Sequence, residues 1–193
     1  IPKDPLKALD IIFNGKAFAI DGFTINHQFA CMLCGLGFDA KVAHDFARQP
    51  KRGLGTYVKQ VIRNFFGATP YSFELNTGTT TFTAEAYFIS IANSNQFGNN
   101  FTIAPRASLS DGLLDIVLVT NQSKLSVLLQ TLKQIRGKNK LETGTIEEKK
   151  KGIIYFQTEK LTIKNLSHAP LHIDGDPAES PDELAIDIKK KCF

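Results

Sequence analysis

The chain has 193 residues, 42% of them hydrophobic, which is enough to bury one core of ordinary size. No apolar stretch approaches the roughly 18 residues that suggest a membrane span, and no signal segment opens the chain, so we expect a cytoplasmic protein. The formal net charge is +4, with lysines clustered at 147–151 and 189–191. Such clusters are typical of a solvated surface or of contact with an anionic lipid surface. No nucleic-acid-binding motif accompanies them.

The three cysteines are an odd number, which argues against a disulfide framework and for a reducing compartment. Cys31 and Cys34 form a C-x-x-C, but the sequence has no second such pair to complete a zinc site. We therefore predict that both belong to the core.

The first third of the chain predicts helices around a pair of strands. Asp4 is an N-cap, Pro5 is the first helical residue, and Gly15 ends a short helix with apolar residues on one face. Residues 17–36 are apolar and aromatic around a turn, which predicts two strands joined as a hairpin. Residues 38–49 and 55–67 return to helical spacing.

Strands dominate the remainder. Residues 79–93 alternate, with Phe82, Ala84, Ala86 and Phe88 on one face, as in a half-buried strand of an antiparallel sheet. Further strands are predicted at 113–119, 152–166 and 170–176, and a helix at 124–137. The fold class is mainly β: a single domain, residues 1–193, built as a two-sheet antiparallel β-sandwich with peripheral helices.

Three polar segments at predicted strand ends could carry chemistry. In the first, "SLSDGLLD", Asp111 could ligate Mg²⁺ with backbone carbonyls of a tight loop, or it could merely form a β-turn. Asp115, further along, is predicted to be structural. In the second, "HIDGDP", Asp176 follows an Asp-Gly turn and could act as a general base or belong to a surface hairpin. The third, "IANSNQFGNNFTIAP", offers neutral donors and acceptors that suit hydroxyls, phosphates or a plain loop.

Together, "ANSNQFGNNFTIAPRASLSDGLLDIVLV" and "LHIDGDP" closely resemble the C-terminal half of the diacylglycerol kinase-like lipid kinases, the superfamily that also holds sphingosine kinases. "GLGFDAKVAHDF" and the "AID" before residue 22 are similar too. In that family a nucleotide-binding domain with a "GGDGT" phosphate loop precedes a β-sandwich domain, and ATP and lipid meet between the two. No such loop occurs here, so the resemblance implies that the N-terminal nucleotide-binding domain is absent from this chain, which would be inactive alone and bind ATP weakly.

The resemblance also implies roles for individual residues. Asp111 would ligate Mg²⁺ together with the backbone carbonyls of Ser108 and Leu113, and Asp176 would be the general base on the lipid hydroxyl. Asn93 and Asn95 would contact ATP, the co-substrate. The implied partners are a lipid substrate, ATP and a peripheral membrane surface, without nucleic acid; a homodimer is left open.

Two departures from the family pattern concern these roles. Asn99 and Asn100 replace small residues, and Asp176 stands where the family has Glu, which is longer by one methylene. Two other functions stay open at this point. One is a non-catalytic module that holds a cation or ligand through Asp111 and Asp174; the other is a metal-dependent phosphoesterase that uses His172, Asp174 and Asp176.

Overall fold

A computed structural model of the chain describes residues 2–49, 61, 63–65, 67–95, 104, 106–120 and 152–193. The helices with defined ends are α1 (Pro5–Asn14) and α2 (Phe38–Ala47). The strands are β1 (Gly22–Ile25), β2 (Gln28–Ala30), β3 (Leu33–Gly37), β4 (Tyr71–Asn76), β5 (Thr81–Ala92), β6 (Leu114–Thr120), β7 (Ile153–Thr158), β8 (Lys160–Asn165), β9 (Leu171–Ile173), β10 (Asp176–Ala178) and β11 (Glu183–Lys189). The predicted helix 124–137, the lysines at 147–151, and Asn99 and Asn100 lie outside the described residues.

Helix α1 begins and ends as predicted, but its large apolar side chains are mostly exposed. The Asp4 side chain accepts a hydrogen bond from the Leu6 N–H at 3.0 Å, and Pro5 is the first helical residue. No residue of α1 is buried, and Leu6, Ile12 and Phe13 are 78%, 70% and 78% exposed. No helix in the described ranges is long and apolar enough to cross a membrane.

Residues 17–36 form three strands where two were predicted. β1 and β2 make the expected hairpin, with Asn26 at a φ of 53° in its turn. The chain then bends at Cys31 and Met32, and β3 leaves the hairpin to pair with β5 and β9. Cys34 lies in the core as predicted, whereas Cys31 is only partly buried, because it occupies that bend.

The mainly β, antiparallel fold is confirmed, and every described strand belongs to one sheet. The strand order is β10-β9-β3-β5-β4-β8-β11-β1-β2, with β6 paired to β5 and β7. Strands near both ends of that order contribute to the same core, for example Leu171 of β9 and Phe23 of β1. The sheet therefore curls around a shared core, and its hydrogen bonds do not divide it into two separate sheets.

Strand β5 interrupts its own alternation. Its pairing with β6 shifts register between Ala86 and Phe88, as a β-bulge at Tyr87 does. Ala86, Ile89 and Ile91 face the main core, while Tyr87 and Phe88 pack with Val119 in a smaller cluster. The prediction that Phe88 shares a face with Phe82, Ala84 and Ala86 is wrong, because the extra residue changes the phase of the strand.

Four neighbouring strands end at one edge of the sheet. Leu33 of β3 is paired with Ala92 of β5, and Ala92 with Asp115 of β6. On the other side of β3, Cys34 is paired with Ile173 of β9. The three polar segments singled out in the sequence therefore leave the sheet at the same edge.

Candidate functional site at one edge of the sheet

The loop that carries Asp111 is a tight turn before β6. The Asp111 carboxylate is exposed, and its Oδ1 accepts a hydrogen bond from the Leu113 N–H at 3.1 Å. Gly112 lies between them with a φ of 73°, a backbone conformation that favours glycine. This is the side-chain turn considered in the sequence, and it engages one of the two carboxylate oxygens.

A second carboxylate, that of Asp21, binds the backbone of this loop from the buried side. Asp21 is buried, and its two oxygens accept hydrogen bonds from the N–H groups of Gly112 and Lys191, each at 2.7 Å. Its own N–H donates to the Leu109 carbonyl at 2.6 Å. Asp21 therefore joins the loop, the start of β1 and the C-terminal segment, and charge-assisted bonds of this kind are among the stronger ones in proteins.

Sequence reasoning did not assign Asp21 a role in the site, although a signal was present. The signal is a lone acidic residue between Ile20 and the apolar strand that starts at Gly22, because a carboxylate buried at such a place needs partners. What the pattern could not reveal is that its partners are backbone amides far along the chain.

Asn93, at the end of β5, extends the network. Its Nδ2 donates to the backbone carbonyls of Asp21 and Cys31, at 2.8 and 2.9 Å. Its Oδ1 is buried and has no hydrogen-bond partner among the described residues. Asn95 is exposed. The amide of Asn93 thus fixes the loops around it, and Asn95 presents its side chain to solvent.

Asp174 clamps the bend between β2 and β3. Its carboxylate accepts hydrogen bonds from the N–H groups of Cys31, Met32 and Leu33, each at 2.9 Å, and its own N–H donates to the Leu33 carbonyl at 2.8 Å. Both carboxylate oxygens are engaged. Because both oxygens already accept hydrogen bonds, Asp174 is poorly placed to be a cation ligand or a member of a metal-dependent phosphoesterase site.

Asp176 starts the return strand of a two-residue hairpin. Asp174 and Gly175 form the turn, with φ values of 50° and 91°, and Asp176 is paired with Ile173. Positive φ at both turn residues is what a tight hairpin requires, and Asp-Gly is a preferred pair for it. Asp176 is exposed, whereas His172 of the same hairpin is fully buried, so the structure does not present the two to solvent together.

A path of hydrogen bonds joins the loop of Asp111 to the hairpin turn that precedes Asp176. It runs from the Asp111 loop through Asp21 and Asn93 to the Cys31–Leu33 bend, and from there to Asp174. Asp176 lies two residues beyond Asp174. The three segments identified separately in the sequence are therefore parts of one hydrogen-bonded region.

Asp115, predicted to be structural, is buried between two side chains of β7. Its carboxylate accepts hydrogen bonds from the Tyr155 hydroxyl and, at 3.2 Å, from Gln157 Nε2. Burial raises the pKa of Asp115 to about 6; the Gln157 bond and the charge of Arg106 lower this pKa, and the charge of Asp111 raises it. The carboxyl group is thus a packed part of the strand pair, and its burial favours the protonated form.

The pKa values of the two neighbouring thiols, Cys31 and Cys34, are both raised. Burial raises the pKa of the Cys31 thiol, with a further contribution from the charge of Asp174. Burial raises the pKa of Cys34 well above its ordinary value, and Asp39 and Asp174 add to that effect. Because the thiolate is the reactive and metal-binding form, both environments disfavour such roles.

The Asp111 carboxylate is chemically suited to a hard cation, because it is exposed and Mg²⁺ prefers oxygen ligands. Within the described ranges, no three His, Cys, Asp or Glu side chains gather as they would in a metal site built from several side chains.

Comparison with known proteins shows which family the chain resembles along most of its length. Residues 33–186 match the family described as the YegS C-terminal NAD kinase beta sandwich-like domain. A Shewanella frigidimarina protein named "Probable lipid kinase YegS-like" is 27% identical over 171 residues, covering 88% of this chain and 52% of that protein. The Escherichia coli protein "Probable lipid kinase YegS" is 26% identical over 181 residues, covering 92% and 56%.

Solved structures share the fold. A diacylglycerol kinase of Bacillus anthracis superposes with a TM-score of 0.69 at 14% identity, covering 100% of this chain and 58% of that one. A second structure from the same organism gives a TM-score of 0.76 at 19% identity, covering 100% and 61%. The chain spans about half the length of the curated relatives it matches. On the family match, which covers most of its length, this chain belongs to the YegS C-terminal NAD kinase beta sandwich-like domain family.

Proposed function

We propose that this chain is the substrate-side domain of a lipid kinase that transfers the γ-phosphate of ATP to the hydroxyl of a diacylglycerol-like lipid. The names of the relatives support a lipid kinase. The observation that carries the proposal is the hydrogen-bond path that ties the Asp111 loop to the hairpin of Asp176. A kinase of this kind needs a cation-binding oxygen and a proton acceptor held in one region.

Asp176 is proposed as the general base that takes the proton from the lipid hydroxyl. Its side chain is exposed on a short hairpin whose turn is held by the Asp174 clamp, so the carboxylate is accessible on a restrained backbone. A base must approach the hydroxyl oxygen to about 2.6–3.2 Å. Because Asp is shorter than Glu, the lipid hydroxyl must come closer to the backbone of β10 than it would with Glu.

Asp111 and the backbone carbonyls of Ser108 and Leu113 would hold Mg²⁺, which supplies charge neutralisation for the phosphates of ATP. The Asp21 carboxylate keeps this loop in place through Gly112. Asn95, which is exposed, is the proposed contact to the nucleotide, and the buried Asn93 would support it by holding the loops around it. Neutral amides can accept from ribose hydroxyls and donate to phosphates without adding charge.

A nucleotide-binding domain outside these 193 residues is part of the proposal. Two observations support it: the chain spans about half the length of its relatives, and the apolar face of α1 is uncovered within the described residues. A patch of this kind marks an interaction site. The lysines at 189–191 support peripheral contact with anionic lipid. Isolated, the chain should neither bind ATP tightly nor transfer phosphate.

Two substitutions separate the proposed roles. They are made in the intact protein, by which we mean this chain together with the proposed nucleotide-binding domain. Asp111→Ala removes a cation ligand, so activity should fall and be partly restored by raised Mg²⁺. Asp176→Asn keeps size and hydrogen bonding but cannot accept a proton, so kcat should fall by about 10²–10⁴ with a nearly steady KM and no response to Mg²⁺. Steady-state kinetics at several Mg²⁺ concentrations measure both effects.

The matched control is Asp182→Asn, which makes the same change at an exposed acid that pairs with His168 away from these residues. It should leave kcat unchanged. Near-normal turnover of Asp176→Asn would remove the base assignment, and rescue of Asp176→Asn by Mg²⁺ would make Asp176 a cation ligand instead.

A further inference from the structure

Beneath the hairpin of Asp176 lies a buried pair of polar side chains that the proposed chemistry does not use. His172 of β9 is 0% exposed and Asp39, in the first turn of α2, is 7% exposed. His172 Nε2 lies 3.4 Å from Asp39 Oδ2. Gly35 of β3 is paired with His172, and a Cβ at Gly35 would collide with both side chains. The absence of a side chain at residue 35 is what allows the pair to form.

The hydrogen bond on the other side of the ring assigns the tautomer of His172. The Gly175 N–H donates to His172 Nδ1 at 3.3 Å. A ring nitrogen that accepts a hydrogen bond carries no proton, so the ring proton lies on Nε2, which faces Asp39. The contact of 3.4 Å is longer than a well-formed N–H···O bond, so it is an electrostatic contact between the ring N–H and the carboxylate.

These contacts make a path from α2 to the proposed base. It runs from Asp39 Oδ2 to Nε2 of His172, across the ring to Nδ1, and on to the N–H of Gly175, whose next residue is Asp176. Asp39 is fixed in turn, because its Oδ1 accepts from the Ala40 N–H at 2.8 Å. The turn is therefore held from two sides, by Asp174 on the bend before β3 and by Asp39 through the ring of His172.

We propose that Asp39 and His172 are positioning residues that set the hairpin angle from which Asp176 reaches the lipid hydroxyl, an inference that rests on the proposed function. Both side chains are buried, so neither can touch the substrate. Replacing a buried polar pair by well-packed apolar side chains is often neutral for stability. Stability alone therefore does not require this polar pair, whereas orientation of the hairpin does. Small displacements of a catalytic group are costly, since an error of about 1 Å can reduce a rate by about 10²-fold.

The first test is spectroscopic and needs no enzymatic activity. Long-range proton–nitrogen NMR correlations of His172 in this chain should show Nε2 protonated and Nδ1 unprotonated. Asp39→Asn should weaken this preference and speed hydrogen exchange of the Gly175 N–H. The control, Asp45→Asn, makes the same change on the same helix at a side chain that bonds Asn64 and not the hairpin, and it should change neither signal. A proton on Nδ1 in the unsubstituted chain would overturn the proposal.

The second test is kinetic and uses the intact protein. Asp39→Asn should lower kcat by about 10–10²-fold while the lipid KM changes by less than about threefold, because positioning affects the reacting geometry more than binding. Asp45→Asn should leave both constants unchanged. An unaltered kcat in folded Asp39→Asn would overturn the proposal.

Substitutions of His172 keep the proposal testable if Asp39→Asn does not fold. His172→Asn retains an acceptor where Nδ1 lies, whereas His172→Leu does not, and both leave Asp39 without its partner ring. His172→Asn should therefore turn over faster than His172→Leu. Equal kcat for the two variants would contradict a role through Gly175. If the unsubstituted intact protein transfers no phosphate to lipid, the proposed function is refuted. If that protein is active and the Asp39 and His172 variants have the same kcat as it does, only the positioning role is refuted.

Discussion

At the scale of single residues, the carboxylates near the edge of the sheet have very different tasks. Asp21 and Asp174 use both oxygens on backbone amides, Asp111 uses one, and Asp176 is exposed. The sequence predicts that acids at a strand end need partners, but all four are the same residue type, and the residues beside each do not identify its partners. Which acid caps an amide and which stays open depends on contacts across more than a hundred residues, which local patterns do not encode.

Asp115 provides a prediction about pH. The pKa of this buried carboxyl in the folded chain is about 6, above its ordinary value, so folding favours the protonated form. The free energy of unfolding should therefore rise as pH falls through 6. Above pH 6 the carboxyl is ionised in the folded chain, and this gain is absent. Between pH 7.5 and 5.5 the gain should be about 1 kcal/mol, and it should be missing from Asp115→Asn.

Denaturant unfolding of this chain, without Mg²⁺, measures the effect as the difference between the two pH profiles. Subtracting the Asp115→Asn profile removes the contributions of the other acids, which the two proteins share. If the profiles run parallel, the Asp115 carboxyl does not titrate near pH 6 in the folded chain.

At the scale of elements, the ends of helices and the positions of hairpin turns can be predicted from local sequence. The contacts that cover each element cannot be predicted in this way. The start of α1 follows from Asp4 and Pro5, and the hairpin before β10 follows from its Asp-Gly turn, because caps and turns are decided within a few residues. The phase of β5 could not be predicted, because its bulge at Tyr87 depends on packing against β6. Periodicity likewise shows that α1 has an apolar face but not what covers it.

The exposed face of α1 leads to a prediction that uses Ile12→Ser. In this chain the substitution should change the free energy of unfolding by no more than about 0.5 kcal/mol, because Ile12 is 70% exposed. In the intact protein it should cost about 1.5–3 kcal/mol if the proposed nucleotide-binding domain buries the side chain. Denaturant unfolding of both forms, with hydrogen exchange of the α1 amides, measures the difference.

Leu166→Ser is the control, since Leu166 is also exposed, at 57%, but lies outside α1. It should have the same small effect in both forms. Protection of α1 that appears only with anionic vesicles would identify a membrane as the cover, and no protection in either condition would refute a covered face.

At the scale of the whole molecule, the architecture and the function depend on different observations. One curled antiparallel sheet brings four strand ends to one edge, and the solved structures share this fold at identities of 14% and 19%. A shared fold does not determine a reaction. The lipid kinase proposal therefore depends on the joined Asp111 and Asp176 segments, and on a nucleotide-binding domain outside this chain.

The most direct test is the fate of labelled γ-phosphate from ATP. The intact protein would be incubated with Mg²⁺, labelled ATP and diacylglycerol in vesicles that contain anionic lipid, and the lipid and aqueous fractions would be separated. We predict that label enters the lipid fraction as a phosphorylated diacylglycerol, and that this chain alone produces none. Label found only as inorganic phosphate, or no transfer to lipid by a folded intact protein that binds ATP, would contradict the proposed function.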